Sequence, residues 1–324
     1  MKILIIRFSS IGDIVLTTPI IRCLKKQIPD AEIHFLTKEI FANLLINNPY
    51  INKVHLLKNS FSETISQLKH ENFNYIIDLH NNIRSFRVKL NLRKKSSSFH
   101  KLNFRKWLLV QFKINLMPDI HIVDRYFNTC NYFNIKNDYQ GLDFFIPEDE
   151  YVSKTQLPKN FHKSFGVLVI GGKHFTKQIP DNLLIELCKS TKIPLVLLGG
   201  KEDRIKAENI RKEAENSDIF NACGIFSINQ SASIIEQSKI VITPDTGLMH
   251  IASAFNKKII SVWGNTVPEF GMYPYLPQSE KAEIIELKDL NCRPCSKIGF
   301  DKCPKNHFYC MNKIDTSLIK KHLR

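Results

Sequence analysis

Short apolar runs alternate along the chain with stretches of helical periodicity. The first run occupies residues 2–8, and apolar side chains then recur every three to four positions between residues 14 and 24, which is typical of a strand followed by an amphipathic helix. The same reasoning predicts further strands at 31–37, 75–79, 165–170, 194–198, 219–221, 240–243 and 258–263, and helices at 40–47, 61–69, 182–189, 204–215, 229–237, 248–255 and 316–324. Strands that alternate with helices indicate parallel sheets covered by helices on both faces.

The alternation is interrupted between residues 146 and 158, where prolines and acidic residues replace the periodic pattern. We therefore predict two doubly wound, Rossmann-like α/β domains at 1–150 and 160–315, and a terminal helix at 316–324 that could pack back on the first domain. A length of 324 residues suits two domains. Because such domains bind ligands at the carboxyl ends of their strands, two facing domains predict a cleft with a donor on one side and an acceptor on the other.

The composition is that of an ordinary globular protein, but the charge is unusual. With 43% hydrophobic and 24% charged residues, the chain is not typical of disorder, collagen or coiled coil. Its 46 Lys and Arg against 31 Asp and Glu leave a formal balance of +15, which predicts an anionic partner. No apolar run reaches the roughly 18 to 20 residues that span a bilayer, and charges interrupt the first run, so we expect a cytoplasmic protein without a signal peptide.

Ten of the positive charges lie between residues 84 and 113, where no Asp or Glu occurs. Phe, Trp, Leu and Val residues are interleaved with them, a mixture suited to anionic headgroups or phosphorylated sugars at a membrane surface. The alternative is a solvated helical face with a Ser-rich loop at 96–98. Since no RNP, helix-turn-helix or zinc-finger pattern is present, nucleic-acid binding is not expected.

The turn after the first strand holds the first candidate for chemistry. It lacks the G-x-G-x-x-G pattern, which argues against a dinucleotide-dependent oxidoreductase. It does place Asp13 beside Gly12 at the end of the strand, where a carboxylate can act as a general base toward a substrate hydroxyl. The alternative is that Asp13 caps the following helix.

Two longer motifs resemble a known family. Residues 2–19 (KILIIRFSSIGDIVLTTP) and 243–250 (TPDTGLMH), the latter followed by Ala-Ser-Ala, are similar to signatures of glycosyltransferase family 9, the ADP-heptose:lipopolysaccharide heptosyltransferases. The resemblance extends from residue 1 to about residue 275. It implies a two-domain GT-B fold and transfer of a heptose from ADP-heptose, with inversion, to the inner core of lipopolysaccharide.

Carried over by position, the resemblance implies that Asp13 is the catalytic base that deprotonates the acceptor hydroxyl. It also implies that the turn formed by Asp245, Thr246 and Gly247 binds the donor phosphate and sugar, with His250 one turn further along the helix. The physical reasoning agrees, because a strand end, a Pro-Asp-Thr-Gly turn and the amides of a helix start together form an anion site.

Two loops of the second domain supply the other donor-binding candidates. Lys177 resembles a family lysine that contacts the donor phosphates, with Thr176 beside it and Lys173 as a competitor for the role. A cation there would stabilise the charge on the departing ADP. In the next loop Glu202 resembles a glutamate that contacts the nucleotide ribose, with Asp203 in reserve.

The acceptor-binding candidates lie in the first domain. They are Ser10, Gly12, Asp78, His80, Arg84 and Arg87. Arginine suits an acceptor phosphate or carboxylate because its guanidinium can bind such groups bidentately. For Asp78 and His80, a structural role in capping a turn and bonding the backbone is equally compatible with the sequence.

Four cysteines and a histidine crowd into the C-terminal tail in the pattern C-x2-C-x7-C-x3-H-x2-C. They are Cys292, Cys295, Cys303, His307 and Cys310. Four thiols suit one tetrahedral structural zinc, with the histidine as an alternative ligand, while metal-free packing or redox pairing is the other interpretation. No metal is expected to serve catalysis, because no suitably placed D-x-D pair is present and basic groups would take a cation's place.

These observations predict a cytoplasmic inverting glycosyltransferase, peripheral to the anionic inner membrane, with ADP-heptose as donor and a lipopolysaccharide or lipooligosaccharide core as acceptor. A non-catalytic sugar-nucleotide or anionic-glycan binding protein of the same fold is the alternative, and donor turnover separates the two. A nucleic-acid-binding protein would instead bind oligonucleotides with a steep salt dependence.

Overall fold

The computed structural model describes residues 1–324. The strands are β1 (Lys2–Ile6), β2 (Glu32–Thr37), β3 (Lys53–Leu56), β4 (Tyr75–Asp78), β5 (Lys95–Ser98), β6 (Gly166–Val169), β7 (Leu195–Leu198), β8 (Ile219–Asn221), β9 (Ile240–Pro244), β10 (Lys258–Trp263) and β11 (Ala282–Glu286). The α-helices are α1 (Ile11–Val15), α2 (Thr18–Gln27), α3 (Phe61–His70), α4 (Ile83–Leu92), α5 (Asn103–Phe112), α6 (Ile122–Phe127), α7 (Asp181–Ser190), α8 (Arg204–Ala214), α9 (Ile228–Gln237), α10 (Gly247–Ala254), α11 (Tyr309–Asn312) and α12 (Ser317–Lys320). None of these helices has the length and apolar character needed to cross a bilayer.

The chain folds into two compact units. Unit 1 comprises residues 1–102 and 120–145, and unit 2 comprises residues 103–119 and 146–324. The change at residue 146 falls where the periodic pattern breaks off, but the segment 103–119 lies in unit 2, whereas the sequence placed it in the first domain. The reason is apolar packing, because Leu109 of α5 is buried against Val267 and Phe270 of unit 2.

Unit 1 contains a five-stranded parallel sheet in the order β3-β2-β1-β4-β5. The side chains of β1 from Ile3 to Ile6 are fully buried, as expected for a central strand covered on both faces. The chain leaves β1 toward β2 on one side and β4 later joins on the other, so the topological switch point lies between β1 and β4. Ile6 pairs with Asp78 there, and the loops that follow both strands meet at this edge.

Unit 2 contains a six-stranded parallel sheet in the order β11-β10-β9-β6-β7-β8. Its core is built from the inward faces of α7, α8 and the central strands, including Leu184, Leu187 and Val262. The switch point of this sheet lies between β6 and β9. The loop after β6 and the turn after β9 are therefore placed side by side, as ligand sites in doubly wound sheets require.

Several elements differ from the sequence-based expectation. The predicted helix at 40–47 is a 3-10 helix, Glu39–Leu44. The Ser-rich stretch at 96–98 belongs to the exposed edge strand β5, and β3 and β11 were not predicted. These three are edge strands, whose exposed positions lack the apolar run that marks a central strand.

The C-terminal helix packs on unit 2 rather than on the first domain. The Thr316 hydroxyl donates to Glu186 Oε1 at 2.7 Å, and Leu323 is fully buried within the core of unit 2. The Leu323 carbonyl also accepts a hydrogen bond from the Lys192 amide at 2.8 Å. Burial of apolar side chains and this backbone hydrogen bond hold the terminus against α7 and the loop that follows α7.

Candidate active site

Asp13 lies in the first turn of α1, at the switch point of unit 1. Its Oδ2 accepts hydrogen bonds from the Ser10 amide at 3.1 Å and the Ser10 hydroxyl at 2.7 Å. Its Oδ1 lies 2.5 Å from a guanidinium nitrogen of Arg7. The N-cap residue of α1 is Ser10 and not Asp13, which is the third helical residue and bonds back to Ser10 in a capping box. This leaves Oδ1 of Asp13 with a lone pair to spare.

The protonation state of Asp13 follows from these contacts. Burial raises the pKa of Asp13, but the Arg7 charge and the Ser10 hydrogen bonds outweigh burial and hold the pKa below its ordinary value. The side chain is 19% exposed, so a substrate hydroxyl can reach it. At neutral pH the group is an oriented carboxylate with one oxygen already saturated and the other able to accept a proton.

Arg7 is the residue that sequence reasoning missed. Its guanidinium is 8% exposed and donates to the Ser9 carbonyl at 2.8 Å, the Leu79 carbonyl at 2.6 Å and the Tyr126 hydroxyl at 3.2 Å. These bonds join the loops after β1 and β4 to α6. A charged residue that interrupts an apolar strand at its carboxyl end was the available signal, because such a residue needs a buried partner.

Asp78 supports the neighbouring loop rather than offering a ligand contact. The side chain is fully buried, and Oδ1 accepts from the His80 and Asn81 amides at 3.1 and 2.7 Å. Lys89 Nζ lies 3.0 Å from Oδ2. The expectation that Asp78 binds acceptor is therefore corrected: the turn and the lysine occupy its carboxylate.

His80 is better placed to contact a substrate. Its ring lies 4.8 Å from the ring of Phe8, and its Nδ1 has no hydrogen-bond partner in the protein. Burial, together with the charges of Arg7 and Lys101, lowers the pKa of His80 to about 4. The imidazole is therefore neutral at physiological pH and can exchange a hydrogen bond with a sugar hydroxyl without competing with Asp13 for a proton.

The two arginines of α4 lie on an exposed helical face. Arg84 is exposed, and the Arg87 guanidinium lies 4.4 Å from the centre of the Phe61 ring. The same helix exposes Ile83 and Phe86, at 80% and 59%. This face combines cations with apolar groups, which fits a phosphorylated, lipid-linked acceptor.

The donor-site candidates in unit 2 meet at the switch point of its sheet. Lys177, in the short 3-10 helix after β6, lies 2.5 Å from Asp245 Oδ2 in the turn after β9. The Thr266 hydroxyl donates to the same Asp245 oxygen at 2.9 Å. Both side chains of the ion pair are partly exposed, 19% for Lys177 and 11% for Asp245. An ammonium has three donors, so Lys177 keeps two for phosphate oxygens.

The turn after β9 also presents free amides. Thr246 is the N-cap residue of α10, and no side chain caps this helix start; Asp245 does not serve as the cap. Gly172 packs close to Thr246, since a Cβ at Gly172 would lie 3.6 Å from the Thr246 methyl group. The Gly247 amide and its neighbours can therefore bind an anion. His250, one turn on, is 2% exposed and lies inside the unit.

The remaining donor candidates divide into exposed and structural groups. Lys173 and Glu202 are exposed and can reach a ligand. Thr176 is buried and exchanges hydrogen bonds with the backbone of Phe300 at 2.8 and 3.1 Å, and Asp203 is buried with Oδ2 accepting from the Gly200 amide at 2.8 Å. We therefore correct the donor-binding role of Thr176 and the reserve role of Asp203: both brace loops.

The cysteine tail packs beneath these donor loops. All eight cysteines of the chain are free thiols, and Cys303 and Cys310 belong to the apolar core of unit 2. Cys292 Sγ lies 3.8 Å from His307 Nε2. Burial, and then the neighbouring Cys292 and Cys303 thiols, raise the pKa of Cys295 to about 11.

Arg293, within the tail, braces the donor site. The Arg293 guanidinium is buried and donates to the carbonyls of Gly264 at 2.5 Å and Thr266 at 2.9 Å. It also forms an ion pair with Glu286 at 2.5 Å. Because the Thr266 hydroxyl bonds to Asp245, the tail determines where the Lys177 and Asp245 pair is held.

Two parallel sheets of Rossmann type, with an oriented carboxylate at one switch point and a cation beside free helix amides at the other, define a glycosyltransferase of GT-B type. The sequence profile of glycosyltransferase family 9 (heptosyltransferase) matches residues 62–303. The chain belongs to this family.

The similarity to known proteins covers most or nearly all of the chain. Lipopolysaccharide heptosyltransferase 1 of Campylobacter coli is 28% identical over 347 aligned positions, covering 99% of this chain and 97% of that protein. Lipooligosaccharide heptosyltransferase 2 of Haemophilus ducreyi is 26% identical over 315 positions, covering 89% of each. The structure of Escherichia coli ADP-heptose lps heptosyltransferase II superimposes with a TM-score of 0.71 at 21% identity, covering 99% of this chain and 100% of that one, which supports the same fold.

Proposed function

We propose that this protein transfers a heptose from ADP-heptose to the inner core of lipopolysaccharide or lipooligosaccharide, with inversion at the anomeric carbon. Two observations carry the proposal. In unit 1, Asp13 is an oriented carboxylate whose Oδ1 keeps a lone pair beside Arg7; in unit 2, Lys177 lies beside the uncapped start of α10. The sugar and acceptor are supported by relatives named as lipopolysaccharide and lipooligosaccharide heptosyltransferases.

On the acceptor side, Asp13 serves as general base. Oδ1 accepts the proton of the acceptor hydroxyl while the hydroxyl oxygen forms the new bond to the anomeric carbon. Arg7 remains on Oδ1 and Ser10 on Oδ2, so the carboxylate does not rotate as it takes up the proton. His80, Arg84 and Arg87 bind hydroxyl and anionic groups of the acceptor.

On the donor side, the bond from the anomeric carbon to the diphosphate breaks and its electron pair leaves with ADP. Lys177 and the first amides of α10 stabilise the charge on that leaving group, so no metal ion is needed for this step. Asp245 and Thr266 hold Lys177 in place. Glu202 accepts hydrogen bonds from the ribose hydroxyls, and Lys173 adds positive charge at the exposed edge of the donor site.

The experiment is a transfer assay with ADP-heptose and heptose-free lipopolysaccharide core, read by mass spectrometry of the product. The wild-type protein is expected to add heptose, and Asp13→Asn to abolish transfer while ADP binding is retained. Asp119→Asn, an exposed carboxylate, is the matched control. Tight ADP-heptose binding without turnover by the wild-type protein would favour the alternative, a non-catalytic sugar-nucleotide or glycan binder.

We propose further that the protein works on the cytoplasmic side of the inner membrane as a peripheral protein. The excess of Lys and Arg, +15 in formal charge, and the need to meet a lipid-linked acceptor support this placement. Fractionation of cells in low and high salt tests it, because electrostatic attachment is lost at high ionic strength.

For the cysteine tail we propose a structural zinc held by Cys292, Cys295, Cys303 and Cys310, with His307 as the alternative ligand. The spacing of the cysteines along the chain and the 3.8 Å between Cys292 Sγ and His307 Nε2 support it. Elemental analysis of protein purified without chelator is expected to find one zinc per chain, lost in Cys292→Ser and kept in Cys223→Ser, a buried thiol elsewhere in unit 2. Metal-free wild-type protein would refute it.

A further inference from the structure

The segment 103–119 of unit 2 carries exposed apolar side chains that no part of the proposed reaction uses. Their exposed fractions are 69% for Phe104, 46% for Trp107, 58% for Phe112, 50% for Ile114 and 53% for Leu116. Monomeric proteins rarely leave so many large apolar side chains together in water without a binding function. We call this set the aromatic face.

The aromatic face is held in a defined arrangement. The Phe104 and Trp107 rings stack with centroids 5.9 Å apart, and the Phe112 ring meets Trp107 edge-on at 5.2 Å. Residues 104, 107 and 112 lie on one side of α5 at 100° per residue, opposite to Lys106. The three rings therefore form one surface rather than three separate contacts.

The opposite side of α5 anchors the segment to unit 2. Leu109 is buried against Val267 and Phe270, and Lys106 Nζ lies 5.8 Å from the centre of the Phe270 ring. Lys113 Nζ donates to the Pro294 carbonyl at 2.8 Å. The rings are thus presented by a helix that is already fixed, so ordering the helix adds no cost when the face binds.

The charge around the aromatic face identifies its occupant. The cations Arg105, Lys106 and Lys113 belong to this segment, and no acidic residue occurs from 84 to 118. A second protein chain would need a matching acidic rim, whereas a membrane with anionic headgroups supplies both negative charge and an apolar layer a few ångströms below it.

We propose that the aromatic face docks on an anionic phospholipid bilayer, with Phe104, Trp107 and Phe112 inserted among the acyl chains just below the headgroups. This deepens the proposed peripheral attachment, on which it rests for the choice of partner, by naming the element that inserts. It also places that element on unit 2, the unit that holds the donor site, and not on the acceptor-binding unit.

The two tryptophans of the chain make the test direct. Trp263 is 1% exposed inside unit 2, so a change in tryptophan fluorescence on adding vesicles reports on Trp107. Wild-type protein is mixed with phosphatidylglycerol-containing vesicles, with pure phosphatidylcholine vesicles, and with vesicles whose acyl chains carry bromine. We expect a blue shift and bromine quenching with the anionic vesicles, and neither in Trp107→Phe.

A second measurement distinguishes binding through the aromatic face from non-specific adsorption by other exposed apolar residues. Phe104→Ser combined with Phe112→Ser is expected to weaken vesicle partitioning by about tenfold or more, since each ring removed takes apolar area out of the membrane contact. Ile205→Ser removes an apolar side chain that is 77% exposed elsewhere on unit 2 and is expected to change nothing. Transfer to a water-soluble, deacylated core acceptor should stay unchanged in both variants.

Three results would overturn the proposal. The first is vesicle binding by wild-type protein without bromine quenching, and the second is an equal loss of vesicle partitioning in the Phe and Ile205 variants. The third is a wild-type dimer in sedimentation that becomes a monomer in the Phe variant, which would make the face a contact between copies. Failure of heptose transfer would count against the proposed function alone, because the vesicle readout does not depend on turnover.

Discussion

Lowering the pH from about 7.5 to about 5 is expected to destabilise unit 1 through one buried histidine pair. His34 Nδ1 and His55 Nε2 share a 2.8 Å hydrogen bond between β2 and β3, and the edge of each ring meets Phe73. Both carboxylate oxygens of Glu71 lie near the pair, but Lys2 and Lys53 bond to them at 3.3 and 2.5 Å. We interpret the cluster as a buried hydrogen-bonded network rather than a metal site, because two ammonium groups already occupy the carboxylate.

The magnitude follows from the imidazole pKa values. Burial, and then the neighbouring His34, lowers the pKa of His55 to about 4, and burial lowers the pKa of His34 as well. A histidine with a folded pKa below its unfolded value stabilises the fold above pH ~6.5, and this contribution is lost as the pH falls toward the folded pKa. Between pH ~7.5 and ~5, His55 alone removes ~2 kcal/mol of unfolding free energy.

Protonation of Glu71 does not contribute to the loss of stability between pH ~7.5 and ~5. Hydrogen bonding to Lys53 is the largest effect that lowers the pKa of Glu71 to about 2. A carboxylate with a depressed folded pKa stabilises the fold above its unfolded pKa, and that contribution is lost only as the pH falls below ~4.5. Acid destabilisation above pH ~5 therefore belongs to the histidines.

The assay is amide hydrogen exchange of β2 and β3 at the two pH values, corrected for intrinsic exchange rates, since both tryptophans lie in unit 2 and cannot report on unit 1. His55→Gln is expected to remove the ~2 kcal/mol that His55 contributes, while the contributions of His34 and His80, whose pKa values burial also lowers, remain. His70→Gln, an exposed histidine, is expected to leave the pH dependence unchanged. If the wild-type protein and His55→Gln lose the same stability within ~0.5 kcal/mol, the reasoning from buried imidazoles is refuted.

Three further predictions concern the ion pairs. Arg7→Met is expected to raise the pKa of Asp13 and move the acid limb of the kcat/KM profile up by about 1 to 3 pH units, because an adjacent cation lowers a carboxyl pKa by that amount. Lys177→Met is expected to lower kcat by about 10² to 10³ in the transfer assay, as loss of one transition-state donor does, and Asp245→Asn by less, since the cation remains. Arg22→Met is expected to cost about 3 to 5 kcal/mol in urea unfolding, because Arg22 is 2% exposed and its removal leaves the carboxylates of Asp138 and Asp143, 20% and 18% exposed, without their cation.

Each of these has a matched control. Lys69→Met removes an exposed cation of unit 1 that has no assigned role and should leave both the acid limb and the urea midpoint unchanged. Lys173→Met removes the other cation in the loop after β6 and should have a smaller effect than Lys177→Met. An unchanged acid limb in Arg7→Met, or equal losses for the two lysines, would contradict the assigned roles.

Both sheets and most of their strands could be predicted from the sequence, because central strands of a parallel sheet are apolar on both faces. The runs at 2–8, 240–243 and 258–263 matched strands within two residues at each end. Edge strands such as β5 escaped prediction because a half-exposed strand with serines and lysines has the composition of a loop. The family and the glycosyltransferase class were likewise readable, since two long motifs each keep their chemistry within a few consecutive residues.

What only the tertiary structure decided are the pairings between distant residues. Lys177 and Asp245 are 68 positions apart and meet because β6 and β9 are neighbours in the sheet. The fold also places the Arg7 guanidinium on Asp13, and it places Lys89 on the carboxylate of Asp78, which is therefore not an acceptor ligand.

The segment 103–119 also shows which properties follow from the sequence and which from the tertiary structure. Its sequence determined that cations and aromatic residues alternate, and hence that an anionic, partly apolar partner is expected. The structure decided which side of α5 is buried, because Leu109 finds Val267 and Phe270 some 160 residues later in the chain. Composition and local periodicity are properties of neighbouring residues, whereas burial, pKa and partner choice depend on groups that only the fold brings together.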